Sequence, residues 1–172
     1  EIKFSEEILK AIDELVEKQG QALDDEIKKQ FSSRTAHLEN WAKGKGKALL
    51  PRLRDFSHEV KNSKLPEAEK QQKLGFVKKQ ISNQEDYLQD LYNLISDGEH
   101  LKKYLKPDPK LKSNLEYLKR LTDKNRVKKN LDYFDMSLVL RLIQIKNGGL
   151  PDGDGGTVSL DHIVIDEAQD FG

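Results

Sequence analysis

Residues 5–31 read SEEILKAIDELVEKQGQALDDEIKKQF and set the expected architecture of the chain. Apolar residues recur in this stretch at spacings of three and four, with a polar break at Gln19: Ile8, Ile12, Leu15, Leu23, Ile27 and Phe31. This spacing predicts one long amphipathic helix with Ser5 as its N-cap. The narrow apolar stripe favours a partner helix in a coiled-coil-like hairpin, although Gly20 weakens the pattern. We therefore expect a mainly α protein, built as an amphipathic helical bundle or a long helical hairpin.

Further amphipathic segments follow, separated by glycine and proline breaks. GKGKALLP at residues 44–51 predicts a helix end or a turn. A helix is expected to restart near Ser63, with Pro66 tolerated in its first turn. A Ser-x-x-Glu capping box formed by Ser82 and Glu85 predicts the start of another. Three or four helices are thus expected in the first hundred residues.

The later part of the chain alternates between helical and turn-forming segments. Residues 109–121 and 123–133 are predicted to form two short basic helices, and residues 132–145 (DYFDMSLVLRLIQI) a strongly apolar helix. Residues 146–159 (KNGGLPDGDGGTVS) are mostly turn-forming and predict an exposed, mobile loop.

The composition excludes several classes of protein. The chain has 172 residues and no cysteine, so it can form neither a disulfide framework nor a thiolate metal site. It contains no apolar run near the ~20 residues that span a bilayer, so no membrane partner is expected. These features are typical of a soluble protein of the reducing cytoplasm, which is the location we expect.

The formal net charge is zero, but the charges are unevenly distributed. Residues 43–130 contain 22 basic and 12 acidic side chains, whereas residues 1–42 and 131–172 are both net acidic. A basic segment can bind nucleic acid phosphates, although it can also be the solvated surface of lysine-rich helices. The candidate nucleic-acid contacts are Lys78, Lys79, Lys102, Lys103, Lys119, Arg120, Lys128 and Lys129. Trp41 could stack on a base, but a single tryptophan on an amphipathic helix favours a core position.

The chain ends in a different kind of sequence. Residues 160–166 (LDHIVID) contain a short β-branched run closed by acids, which predicts a strand buried in a parallel sheet. Asp166 and Glu167 would then lie at the carboxyl edge of that sheet, where α/β proteins bind nucleotides. In such a position the first acid can hold Mg²⁺ through water and the second can activate an attacking water. A solvated strand end is the alternative interpretation.

The longer string HIVIDEAQDFG at residues 162–172 resembles the second conserved motif of the superfamily I helicases related to UvrD and Rep. In that family a Walker B strand runs into Asp-Glu-x-Gln-Asp, which matches residues 166–170 here. The apolar segment upstream resembles the helix that precedes this strand in the family, with Phe134 and Asp135 as its aromatic-acidic pair. The two pieces together cover about a quarter of the chain.

The resemblance implies an ATP-dependent enzyme that moves along, or unwinds, DNA or RNA with ATP and Mg²⁺ as cofactors. By this match Asp166 would hold Mg²⁺ through water, Glu167 would activate water, and Gln169 would couple hydrolysis to domain movement. Asp170 would help to hold the nucleotide site together. The family's phosphate loop and its downstream arginines have no counterpart in the sequence. The segment is therefore expected to be an internal piece of a larger enzyme and to be inactive alone.

The resemblance also divides the chain into two parts. Residues 1–130 would be a helical insertion, with its basic middle at 43–130. Residues 131–172 would be a fragment of a RecA-like ATPase domain. In relatives such insertions contact single-stranded or duplex nucleic acid, and in the HelD-like branch they contact RNA polymerase; a repair protein is a further candidate partner. The alternative to nucleic-acid binding is thus a helical protein-interaction module without nucleic-acid affinity.

Overall fold

The computed structural model describes residues 6–154 and 156–158, apart from the side chain of Phe134. The described residues form eight α-helices: α1 (Glu6–Gln30), α2 (Thr35–Lys43), α3 (Leu49–Asn62), α4 (Glu67–Gln84), α5 (Tyr87–Ser96), α6 (Gly98–Lys102), α7 (Leu111–Lys128) and α8 (Tyr133–Asn147). This confirms the mainly α class. The strand predicted around residues 163–166 lies outside the described part of the chain. Within that part the only β-type pairing is an isolated antiparallel bridge between Pro151 and Thr157.

The helix predicted from the opening stretch is confirmed as α1, whose predicted cap Ser5 lies outside the described residues. Acidic Glu6 and Glu7 lie in its first turn and basic Lys28 and Lys29 in its last turn. Each pair therefore carries the charge that the helix dipole favours at that end.

Two predicted boundaries between α2 and α4 differ from the structure. The turn is confined to residues 44–48, because α3 already begins at Leu49 and includes Pro51. Proline is tolerated there, since backbone N–H groups in the first turn have no partner within the helix. Ser63 does not start α4; it ends α3 in an extended conformation, and α4 begins after Pro66.

The capping box predicted at Ser82 and Glu85 is wrong. Helix α4 continues to Gln84, and α5 begins only at Tyr87. The capping side chain is instead Asp86, which accepts a hydrogen bond from the Gln89 backbone N–H at 3.1 Å. The i, i+3 spacing of Ser82 and Glu85 alone could not show that α4 would continue past Ser82.

The two short basic helices predicted for residues 109–133 are one helix, α7, in which Thr122 is buried at mid-length. Helix α7 ends at Lys128, and its C-cap Lys129 adopts a left-handed conformation (φ 52°). The apolar helix that follows is confirmed as α8, and Asp132 and Asp135 close a capping box at its start.

The helices enclose two hydrophobic clusters. The first lies between the N-terminal half of α1 and helices α5 to α8, with the buried residues Ile8, Ala11, Ile12, Val16, Leu91, Leu94, Ile95, Leu101, Leu115, Leu138 and Leu142. The second lies between the C-terminal half of α1 and helices α2 to α4, with Leu23, Ile27, Phe31, Trp41, Leu49, Leu53, Phe56, Val60, Leu74 and Val77. Helix α1 runs through both clusters. It packs on several helices rather than on one hairpin partner, so the bundle describes the fold better than the long hairpin.

None of the described helices is both long enough and apolar enough to cross a membrane.

Candidate nucleic-acid interface

Helix α7 is the most basic element of the described structure. Together with its N-cap Lys110 and C-cap Lys129, it contains eight basic and two acidic side chains. The helix forms because Leu111, Leu115, Leu118 and Thr122 recur at helical spacing and face the first cluster. It packs mainly on α5 and also contacts α6.

All eight basic side chains of residues 110–129 are exposed. They are Lys110, Lys112, Lys119, Arg120, Lys124, Arg126, Lys128 and Lys129. None of them forms a salt bridge with another residue that the structure describes. Arg126 donates a hydrogen bond to the Gln89 side chain at 3.1 Å, and Arg120 donates one to the Glu116 carbonyl at 3.4 Å. The charge of this surface is therefore largely uncompensated.

Three of these cations lie on one outward face. Arg120, Lys124 and Lys128 are spaced i, i+4 and i+8, so their side chains follow one another about 6 Å apart along the helix axis. We call these three residues the α7 cation row. Glu116 and Asp123 lie beside the row, seven residues apart.

The structure distributes the eight predicted contact residues over three helices. Lys119, Arg120, Lys128 and Lys129 belong to α7 and its C-cap, and Lys102 and Lys103 lie at the end of α6, which packs on α7. Lys102 is already paired with Glu99. Lys78 and Lys79 are exposed on α4, which packs in the second cluster. All eight side chains are exposed, but α4 does not belong to the same packed group of helices as α7. Their contact with nucleic acid stays a prediction.

Trp41 is only 3% exposed and belongs to the second cluster, so the predicted core position is confirmed. Its indole Nε1 donates a hydrogen bond to Asp24 Oδ1 at 2.8 Å. The Arg52 guanidinium lies 3.7 Å from the ring centroid and also contacts Asp24 at 3.1 Å. Burial lowers the pKa of Arg52, and Asp24 opposes that shift. Trp41 is thus held on both sides and is not available to stack on a base.

A buried ion pair, which sequence analysis missed, lies where α1, α4, α5 and α8 meet. The Lys146 ammonium is fully buried and donates to the Asp90 carboxylate and, at 3.1 Å, to the Gln84 carbonyl. Asp90 also accepts a hydrogen bond from the Gln19 amide at 2.6 Å. Burial lowers the pKa of Lys146, while Asp90 opposes that shift. The sequence signal was Gln19, the polar break in the apolar stripe of α1.

Helix α8 is apolar on two sides. Leu138 and Leu142 are buried in the first cluster, whereas Tyr133, Met136 and Leu140 are at least half exposed. The helix packs on α1, α3 and α5, although the predicted division of the chain at residue 130 would assign it to the ATPase fragment. That division stays a prediction.

The predicted nucleotide-site residues Asp166, Glu167, Gln169 and Asp170 lie outside the described residues. Among residues 6–154 and 156–158, no three or more His, Cys, Asp or Glu side chains are grouped so that they could hold a metal ion. Asp135, one half of the predicted aromatic-acidic pair, is buried and accepts a hydrogen bond from the Asp132 backbone N–H at 3.2 Å. Its observed role is to cap α8.

Comparison of the chain with protein-family models, with curated proteins and with solved structures found no significant match.

Proposed function

We propose that this chain is a segment of an ATP-dependent superfamily I helicase or translocase, in which the helical bundle contacts nucleic acid through α7. The motor assignment rests on the sequence of residues 166–170, which resembles the family's Walker B motif. The nucleic-acid assignment rests on one structural observation: the cations of α7 are exposed and form no salt bridge with the residues that the structure describes.

The α7 cation row argues against a surface that serves only to solvate the helix. Like charges at i, i+4 destabilise a helix by about 0.2–0.5 kcal/mol per pair, whereas alternating charges would stabilise it. Lys128 lies in the last turn, where the helix dipole stabilises a positive charge. Arg120 and Lys124 lie before that turn and form no salt bridge with the residues that the structure describes, although Glu116 lies one turn before Arg120. Phosphates would supply the missing counter-charge, with release of their condensed cations.

In the parent enzyme, Asp166 would hold the magnesium ion of MgATP, and Glu167 would activate the attacking water. Gln169 would couple hydrolysis to domain movement, and Asp170 would help to hold the site together. These roles come from the resemblance, and the helical bundle supplies the nucleic-acid surface on which such a motor would act.

The variant Lys124→Glu distinguishes an effect on nucleic-acid affinity from an effect on the stability of the fold. It replaces two like-charge i, i+4 pairs with opposite-charge pairs to Arg120 and Lys128, so it should stabilise the chain by about 0.5 kcal/mol. It should nevertheless weaken binding of a fluorescein-labelled single-stranded oligonucleotide by about 10-fold at low salt, because a phosphate contact becomes a repulsion. Fluorescence anisotropy measures the binding and urea denaturation the stability.

Lys45→Glu is the matched control, because Lys45 is an exposed lysine in the turn before α3 and carries the same charge change. It should leave the affinity within about two-fold of wild type. Equal losses in the two variants would show that only net charge matters and would contradict the assignment to α7. Absence of binding by the wild-type chain at low salt would contradict the proposal and favour the protein-interaction module.

A further inference from the structure

The outward face of α7 carries an aromatic side chain in line with its cations. Tyr117 precedes Arg120 by three residues, so it lies next to the start of the α7 cation row. The ring is 62% exposed, and the phenol has no hydrogen-bond partner among the described residues. The nearby leucines Leu115 and Leu118 pack on the first cluster, so packing does not require an aromatic residue at position 117.

This order of side chains fits an extended polynucleotide chain. The three cations follow one another about 6 Å apart along a straight helix, so they can follow the phosphates of one extended strand. A tyrosine at the end of such a row can stack on an unpaired base, which contributes about 1–3 kcal/mol and tolerates any base. In a duplex the bases are already stacked on one another, so the ring would have no base face to contact.

The neighbouring acids restrict the width of the cationic surface. Glu116 and Asp123 separate the α7 cation row from the remaining cations on the other flank of the helix, Lys112, Lys119 and Arg126. A second phosphate backbone lying close to the first would meet these two carboxylates. The row is therefore about as wide as one strand.

Given the nucleic-acid binding of the proposed function, on which this inference rests, we propose that α7 binds single-stranded nucleic acid. Arg120, Lys124 and Lys128 contact successive phosphates, and Tyr117 stacks on a base without regard to its identity. The surface discriminates single strands from duplex because only a single strand offers both a base face and an isolated phosphate backbone.

The test compares the wild-type chain with Tyr117→Ala and Tyr117→Phe, using a labelled single-stranded oligonucleotide and a duplex of equal length. The wild-type chain should bind the single strand at least about 10-fold more tightly than it binds the duplex. Tyr117→Ala should weaken single-strand binding by about 10-fold, the loss of one stacking contact, and should leave the salt dependence unchanged. Tyr117→Phe should bind as wild type, because the ring rather than the hydroxyl makes the contact.

Tyr133→Ala serves as the matched control, since Tyr133 is comparably exposed but lies on α8. It should bind the single strand as wild type does. A second readout is photocrosslinking of a 5-bromouracil oligonucleotide, which should modify the peptide that contains Tyr117.

The outcomes separate the two proposals. If Lys124→Glu weakens binding but Tyr117→Ala does not, or if duplex binds as tightly as the single strand, the single-strand assignment is overturned while nucleic-acid binding stands. If wild type binds neither oligonucleotide, the proposed function itself fails.

Discussion

At the scale of single residues, Lys146 and Asp90 are the most consequential pair in the described structure. Both are buried, and they link α8 to α5 between the two hydrophobic clusters. A buried ion pair adds little net stability over apolar residues of the same size, but loss of one partner leaves a charge unpaired in the protein interior. We infer that the pair makes the contact between these helices specific.

Replacing Lys146 alone should be severely destabilising. Lys146→Met leaves the Asp90 carboxylate buried with Gln19 as its one remaining side-chain partner among the described residues, which should cost about 3–5 kcal/mol. The double variant Lys146→Met, Asp90→Leu should recover much of that loss, since neither charge remains. Urea denaturation measures both, and a double variant less stable than Lys146→Met would refute this account of the pair.

The same pair predicts a dependence of stability on pH. Burial holds the pKa of Lys146 below its ordinary value of 10.5, so the unfolded chain binds the proton more tightly than the folded chain does. The contribution of Lys146 to stability should therefore rise with pH from the lowered pKa up to about 10.5 and then level off. We expect the difference in the free energy of unfolding between wild type and Lys146→Met to increase over that range. A decrease would show that Asp90 dominates and raises the pKa instead.

At the scale of single elements, the orientation of α7 determines which side chains can bind a ligand. Leu115 is buried in the first cluster, whereas Val127 on the same helix is 87% exposed. Leu115→Ala should therefore cost about 2–4 kcal/mol, and Val127→Ala no more than about 0.5 kcal/mol. Thermal and urea unfolding measure both. Similar costs for the two would mean that α7 is rotated and that the α7 cation row does not face outward.

Periodicity and capping signals predicted some elements better than others. Helices α1 and α8 followed from apolar spacing over many turns. The boundary between α4 and α5 was not predicted correctly, because tertiary packing outweighed the local capping signal at Ser82 and Glu85. Gln84, at the end of α4, is buried and its carbonyl accepts a hydrogen bond from Lys146, 62 residues away in sequence.

The candidate interface was predictable in composition but not in arrangement. The residues chosen for their local density of lysine and arginine have exposed side chains, and their contact with nucleic acid stays a prediction. The local density could not group these residues, because the separation of α4 from α7 depends on which cluster each helix packs in. Tyr117 was missed because an exposed aromatic residue is indistinguishable in sequence from one that contributes to the core.

At the scale of the whole molecule, the bundle is a pair of hydrophobic clusters joined by α1, with a polar centre between them and a basic helix on the outside. Helix α8, whose end contributes Lys146 to that polar centre, precedes in sequence the segment that resembles a Walker B motif. The arrangement leaves the basic side chains of α7 exposed, which is what the proposed nucleic-acid contact requires. The proposed nucleic-acid binding thus rests on the described residues, and the proposed ATP-dependent motor activity rests on the sequence of residues 166–170.

The most direct test of this account is the salt dependence of single-strand binding. We would compare wild type with the triple variant Arg120→Gln, Lys124→Gln, Lys128→Gln, and with a control triple of glutamines at the exposed Lys45, Lys61 and Lys64. Each lost phosphate contact reduces the slope of log affinity against log salt by about 0.7, so the α7 triple should reduce it by about 2 and the control should not. Equal slopes for all three proteins, or no binding by wild type, would contradict the assignment of α7 as the nucleic-acid surface.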